Sequence, residues 1–270
     1  MSSSPNTLPD PVQPLDSGAA VAPPPLRDPV WNLWDVLMIV VVALGGMLLF
    51  GTLIGVGLHV AGIPVPQEMS PLMLRVILGA QCLAYVVVLL FMYYLVTGEY
   101  GRGFAEAVRW TAPPPRVWPY YFAGGVALSF IVGLIGRILP FPPHLPIDKY
   151  FQDRSSAWLL TIFGITLAPL VEELFYRGFV YPALARRVGM AAGTVITAAG
   201  FALMHSGQLA HAWGPLLILF LVGLVLTIVR IVSRSVVPGV LMHVAYNATL
   251  FTMLYIASDG YRHLEKVLQQ

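Results

Sequence analysis

Charge is scarce in this chain. Lys and Arg total 15 and Asp and Glu 13 among 270 residues, 10% together, while 57% of the residues are hydrophobic. An ordinary soluble domain carries about 25% charged residues, so the composition excludes that class and points to a polytopic membrane protein. Cysteine is nearly absent as well. Cys82 stands alone, which excludes an intrachain disulfide and a cysteine-based metal site; within its apolar run it reads as a small packing residue. A net charge of +2 with scattered basic residues offers no nucleic-acid surface. The N-terminus lacks the basic start and short apolar stretch of a signal peptide, so the first long hydrophobic run, after Trp34, is expected to remain as a membrane anchor.

Long hydrophobic runs are what the chain does have. Crossing a bilayer core takes about 20 apolar residues, and seven segments reach or approach that length: Asp35 to Val60, Pro71 to Val96, Trp118 to Leu139, Trp158 to Arg177, Ala191 to His205, Gly214 to Val232, and Val237 to Ala257. The fold class expected is therefore all-α, a membrane helical bundle of about seven transmembrane helices. The fourth should continue as helix to about Arg187, and the fifth is short. Residues 1–30, rich in Ser, Pro and Asp around Pro23-Pro24-Pro25, are expected to form a disordered tail. Residues 31–157 then carry helices without a recognisable motif, 158–257 the motif-bearing membrane domain, and 258–270 a short C-terminal tail. Arg27, Arg102, Arg109, Arg116, Arg186, Arg187, Arg230 and Arg234 would share one side of the membrane. That bias favours a cytoplasmic N-terminus in a multi-pass protein of the cell membrane. Tyr100 to Thr111 mixes basic and aromatic residues and reads as an interfacial segment or a plain loop.

Three polar islands interrupt the apolar spans. In the fourth, Glu172, Glu173 and Arg177 would each cost about 2.5 to 3.5 kcal/mol to insert, and such residues mark functional sites by default. Glu173 and Arg177, four apart with the acid first, share a helix face as a neutralising pair. Glu172 is turned about 100° away and is the freer carboxylate, suited to taking a proton from water; the plainer reading makes all three one structural charge cluster. His205 is the second island. It lies sixteen residues after Gly189 and Glu173 sixteen before, so two helices hinged at Gly189 bring them to one level. The third is His243 with Asn247, four apart on one face. On their own these two could simply bind helices together by hydrogen bonds. For the three islands to meet, the Gly189 hinge must project outward and the stretch Ser206 to Trp213 must be sunk within the protein.

Glu172-Glu173-x3-Arg177, Phe201-x3-His205 and His243-x3-Asn247, in this order and each in a hydrophobic span, resemble the three motifs of the CAAX protease and bacteriocin-processing family (CPBP, also Abi), which includes the type II CAAX prenyl endopeptidases. The resemblance covers Trp158 to about Ala257. It implies an intramembrane endopeptidase in which Glu172 is the catalytic base on a water that His205 helps to hold. Glu173 and Arg177 would shape the site, and His243 and Asn247 would stabilise the oxyanion. A metal-dependent variant is also open: Glu172, His205 and His243 make a two-His, one-Glu set for zinc, with Glu173 as base. The partners implied are the lipid bilayer and a membrane protein or peptide substrate. A non-catalytic scaffold or immunity-type protein of the same family is the alternative. A proton-coupled transporter is a third, though paired broken helices in repeated halves are not visible in the sequence.

Overall fold

The computed structural model describes residues 28–64, 70–151 and 153–264; the Pro-rich tail up to Arg27 lies outside them. Among the described residues there are helices and no strand. Six helical stretches are long and apolar enough to cross a membrane: Leu33–Val60, Pro71–Glu99, Pro115–Gly136, Arg154–Val188, Trp213–Ser233 and Val237–Ala257. They make this a multi-pass integral membrane protein. A seventh apolar helix, Met190–Met204, has 15 residues. At about 1.5 Å per residue it falls short of a bilayer core of about 30 Å.

Local chemistry sets where the helices begin. Helix α1 (Leu33–Val60) starts with a capping box: the Asn32 side chain accepts from the Trp34 amide, and the Asn32 amide donates to Asp35, satisfying donors a helix start leaves open. Helix α2 (Pro71–Tyr94) has Ser70 as cap and Pro71 in its first turn. It ends in a π-helical turn, Leu95–Glu99, and a single turn, α3 (Phe104–Ala107), follows in the loop. Tyr100 to Thr111 is thus mostly loop, tied back by Tyr100 Oη donating to Asp35. Helix α4 spans Trp118–Gly136. Asp153 caps α5 (Arg154–Ile165), accepting from the Ser155 and Ser156 amides while Arg75 reaches it at 3.0 Å. Burial acts to raise the Asp153 carboxyl, but these donors outweigh it and hold the group below the ordinary range.

The fourth span is not one helix. Helix α6 (Leu167–Glu173) follows α5 after an offset at Thr166, then a π-helical segment runs from Leu174 to Val180, and α7 covers Tyr181–Val188. Gly189, at φ 85°, turns the chain into α8 (Met190–Met204), as the sixteen-residue symmetry predicts. A 3-10 turn, Ser206–Leu209, leads to α9 (Trp213–Ser233), and α10 spans Val237–Ala257.

Small residues let these helices approach, as expected where lipid gives no hydrophobic drive for helices to associate. A methyl group on Gly125 of α4 would sit 2.2 Å from the Met242 carbonyl of α10. A methyl group on Gly223 of α9 would sit 3.1 Å from the Ala198 backbone of α8. Of the glycines in α1, Gly46 rests on Ala84 of α2, whereas Gly51 and Gly55 meet nothing. Three buried clusters stack from one end of the bundle to the other. One surrounds Trp31, Val108 and Phe179, a middle one Tyr176, Phe201 and Val222, and the third Phe151 and Tyr261.

Candidate active site

The three polar islands meet between the first and middle clusters. Pro169 has no N–H for the carbonyl four residues back, and the chain shifts register at Thr166 just before α6 delivers Glu172 and Glu173. The π-helical segment that follows carries Arg177. In that wider register the Tyr181 amide bonds the Tyr176 carbonyl. The next donor would be Pro182, which has none, and Arg230 Nε supplies the Arg177 carbonyl instead, at 3.2 Å. Isolated π turns of this kind recur at functional sites.

Glu173 and Arg177 are both fully buried, paired at 2.9 Å. Arg177 also donates to the Gly223 carbonyl at 3.0 Å and stacks its guanidinium 4.8 Å from the centre of the Phe201 ring. Glu173 Oε1 further accepts from His243 Nδ1 at 3.0 Å, since a carboxylate paired with arginine has no proton to give. Its other oxygen, Oε2, has no partner among the described residues and faces Gly239, where a methyl group would come within 2.6 Å. Glu172, by contrast, is partly exposed to a cavity. His205 Nε2 lies 3.9 Å and His243 Nε2 3.8 Å from its carboxylate oxygens.

The ring protons follow from the outer partners. His205 Nδ1 is 2.9 Å from the Phe201 carbonyl, which can only accept, so in the neutral ring Nε2 carries a lone pair. Glu173 fixes the same tautomer on His243. Two bare nitrogens and a carboxylate thus face one another at separations too long for direct hydrogen bonds and close enough for one water beside them in the cavity to bond two of the three. Asn247, one turn beyond His243, lines the same cavity and gives one N–H to the Gly164 carbonyl at 2.7 Å. Its second N–H and its oxygen remain. Glu172, His205 and His243, the set a zinc ion would take, come together on the wall of this cavity, while among the described residues no group of three or more His, Cys, Asp and Glu side chains has the geometry of a metal site.

The cavity measures about 620 Å³ and is mainly apolar, with Glu172, His205, His243 and Asn247 on its wall. The motif-free helices α1 and α2 close its other side. Tyr85 of α2 is the feature that the motif reading missed: its ring rests against Phe163, 5.5 Å between centres, and its hydroxyl oxygen accepts from Gln81 at 3.3 Å. The signal was present as Gln81 and Tyr85, four apart in an otherwise apolar span. Of the two conditions for the islands to meet, the first holds: Gly178 packs on Val236 at the start of α10, so α7 and the Gly189 turn extend past that level. The second does not: the Ser206–Leu209 turn lies against the Pro146–Phe151 segment, but none of its residues is buried and Trp213 is exposed, so this stretch lies at the surface, and the short α8 brings His205 to the site without it being sunk.

Comparison with known proteins agrees with this geometry. A family model described as Type II CAAX prenyl endopeptidase Rce1-like matches residues 154–249, the stretch that carries all three motifs. An Escherichia coli relative, described as an uncharacterized 24.3 kDa protein, is 34% identical over 160 residues, 54% of this chain and 71% of that protein. No solved structure matches the chain. With the motifs complete and in order, the chain belongs to the type II CAAX prenyl endopeptidase Rce1-like family.

Proposed function

We propose that the protein is an intramembrane endopeptidase that hydrolyses a peptide bond of a membrane-associated protein or peptide, with Glu172 as base. The observation that carries this reading is the Glu172 carboxylate beside two unprotonated Nε2 atoms, 3.9 and 3.8 Å away, so that one water on the cavity side can bond the carboxylate and a ring nitrogen together. A water held there by His205 gives its proton to Glu172 as its oxygen bonds to the substrate carbonyl carbon. The C–N bond of the resulting tetrahedral intermediate then breaks, and the proton passes from Glu172 to the leaving nitrogen. No atom is left over, and Glu172 returns to its starting state.

The oxyanion needs donors, and one such donor is worth about 3 kcal/mol. His243 in its neutral form spends its proton on Glu173, so it donates to the oxyanion only when both ring nitrogens are protonated, with Glu173 as counter-charge. Asn247 contributes its second N–H. Tyr85, whose oxygen already accepts from Gln81, keeps its own O–H for the cavity and is a third donor. The arginine-rich loops favour a cytoplasmic N-terminus in the plasma membrane.

Replacing Glu172 by Gln keeps the shape and removes the base. New peptide termini should appear in membranes holding the wild-type chain and be absent with Glu172→Gln at equal abundance. Identical termini in both, with the phenotype retained by the mutant, would instead establish the scaffold reading.

A further inference from the structure

A second pocket, of about 370 Å³, lies at the other end of the bundle from the Ser206–Leu209 turn. Its wall includes Arg102, Arg109, Arg234, Asp28 and Glu106. Two of these arginines are matched: Arg102 pairs with Glu106 at 3.0 Å and Arg109 with Asp28 at 2.5 Å. Arg234 is not; among the described residues it has no carboxylate within reach. Behind the pocket Arg230 is 6% exposed, within electrostatic reach of Arg109 and Asp28. Its recorded hydrogen bond is to the neutral Arg177 carbonyl, and it too has no carboxylate partner among the described residues. Arg230 does not line the pocket and Arg234 is exposed, but the pocket wall carries three guanidinium groups, Arg102, Arg109 and Arg234, against the carboxylates of Asp28 and Glu106, a surplus of positive charge that suits an anion.

The pocket is also built at some conformational cost. Arg109 and Arg234 both adopt left-handed backbone, φ 58° and 55°, a conformation that side-chain-bearing residues disfavour and that clusters at ligand sites. The two turns are locked together. Val236 N–H donates to the Arg109 carbonyl, Thr111 N–H to Ser235 Oγ, and Ser235 Oγ to the Thr111 carbonyl. At this same end Trp34, Tyr93 and Tyr94 are exposed, the aromatic belt that marks headgroup depth. A phosphate group is the anion abundant at that level, and planar guanidinium forks suit its oxygens.

We propose that this pocket binds a phosphate-bearing anion, supplied by the headgroup of an anionic phospholipid, through Arg234. Wild-type protein in nanodiscs of phosphatidylcholine should unfold about 3 °C higher when phosphatidylglycerol is included. Native mass spectrometry should retain phosphatidylglycerol on it in preference to phosphatidylcholine, and Arg234→Gln should weaken that retention about tenfold, the loss of one charge-assisted contact. Arg234 is the variant of choice because its side chain braces nothing, whereas Arg230 holds the Arg177 carbonyl. Equal behaviour of the two lipids, or an unchanged preference in Arg234→Gln, overturns the site. Inorganic phosphate that by itself reproduces the shift in detergent overturns the lipid as source.

Discussion

At the scale of single residues, the two adjacent glutamates are held in different surroundings. Glu173 is fully buried between Arg177 and His243, while Glu172 opens to the cavity. That division was legible in the sequence, since the four-residue spacing from Glu173 to Arg177 leaves Glu172 on another face. The role of Gly239 was not legible, because nothing in Pro238-Gly239-Val240 says that a carboxylate lies against it. A methyl group there would stand 2.6 Å from Glu173 Oε2. Gly239→Ala should therefore displace Glu173, destabilise the fold by about 1 to 3 kcal/mol and, by tilting His243, abolish cleavage. Thermal unfolding and a cleavage assay on the same preparation measure both effects.

At the scale of elements, hydrophobic runs announced the six long helical stretches and Met190–Met204, but their interruptions, and the short turns such as α3, were hidden. A π turn keeps the same apolar composition as the α-helix around it, so Leu174–Val180 looked like an uninterrupted span. Pro169 and Pro182 were the available hints. The register of the π segment is braced from outside as well: Trp31, fully buried, donates from Nε1 to the Phe179 carbonyl at 3.1 Å and stacks on the Phe179 ring. Arg186 reaches back to the Pro29 and Trp31 carbonyls. Trp31 just before α1, and Pro29 at the end of the stretch expected to be a disordered tail, are thus tied to the fourth span that carries Arg177. Trp31→Phe should keep the ring stacking yet leave the Phe179 carbonyl unpaired, a loss of about 1 to 3 kcal/mol; Trp31→Ala should cost more, about 3 to 5 kcal/mol. Chemical or thermal unfolding in detergent will separate the two.

At the scale of the whole molecule, the mouth of the large cavity and the arginine pocket occupy opposite ends. Gln208 lines the first and Arg234 the second. Cys82 is the chain's single thiol, so replacing it gives a clean background for new ones. In sealed vesicles, Gln208→Cys and Arg234→Cys should react with an impermeant thiol reagent from opposite sides, Arg234→Cys from the cytoplasmic one on the orientation proposed above. Labelling of both from one side would contradict the arrangement of the spans.

Helix α8 stops at Met204, about 22 Å from its start at 1.5 Å per residue, and His205 sits where it stops. Lipid tails cannot fill the space beneath a helix that ends among polar loop groups such as Ser206 and Gln208. The bilayer must dimple there or yield to solvent. For the hydrolysis proposed above this makes a problem of plumbing: the short helix would lower the aqueous phase to the glutamate, and the thickness of the host membrane would become a throttle on supply.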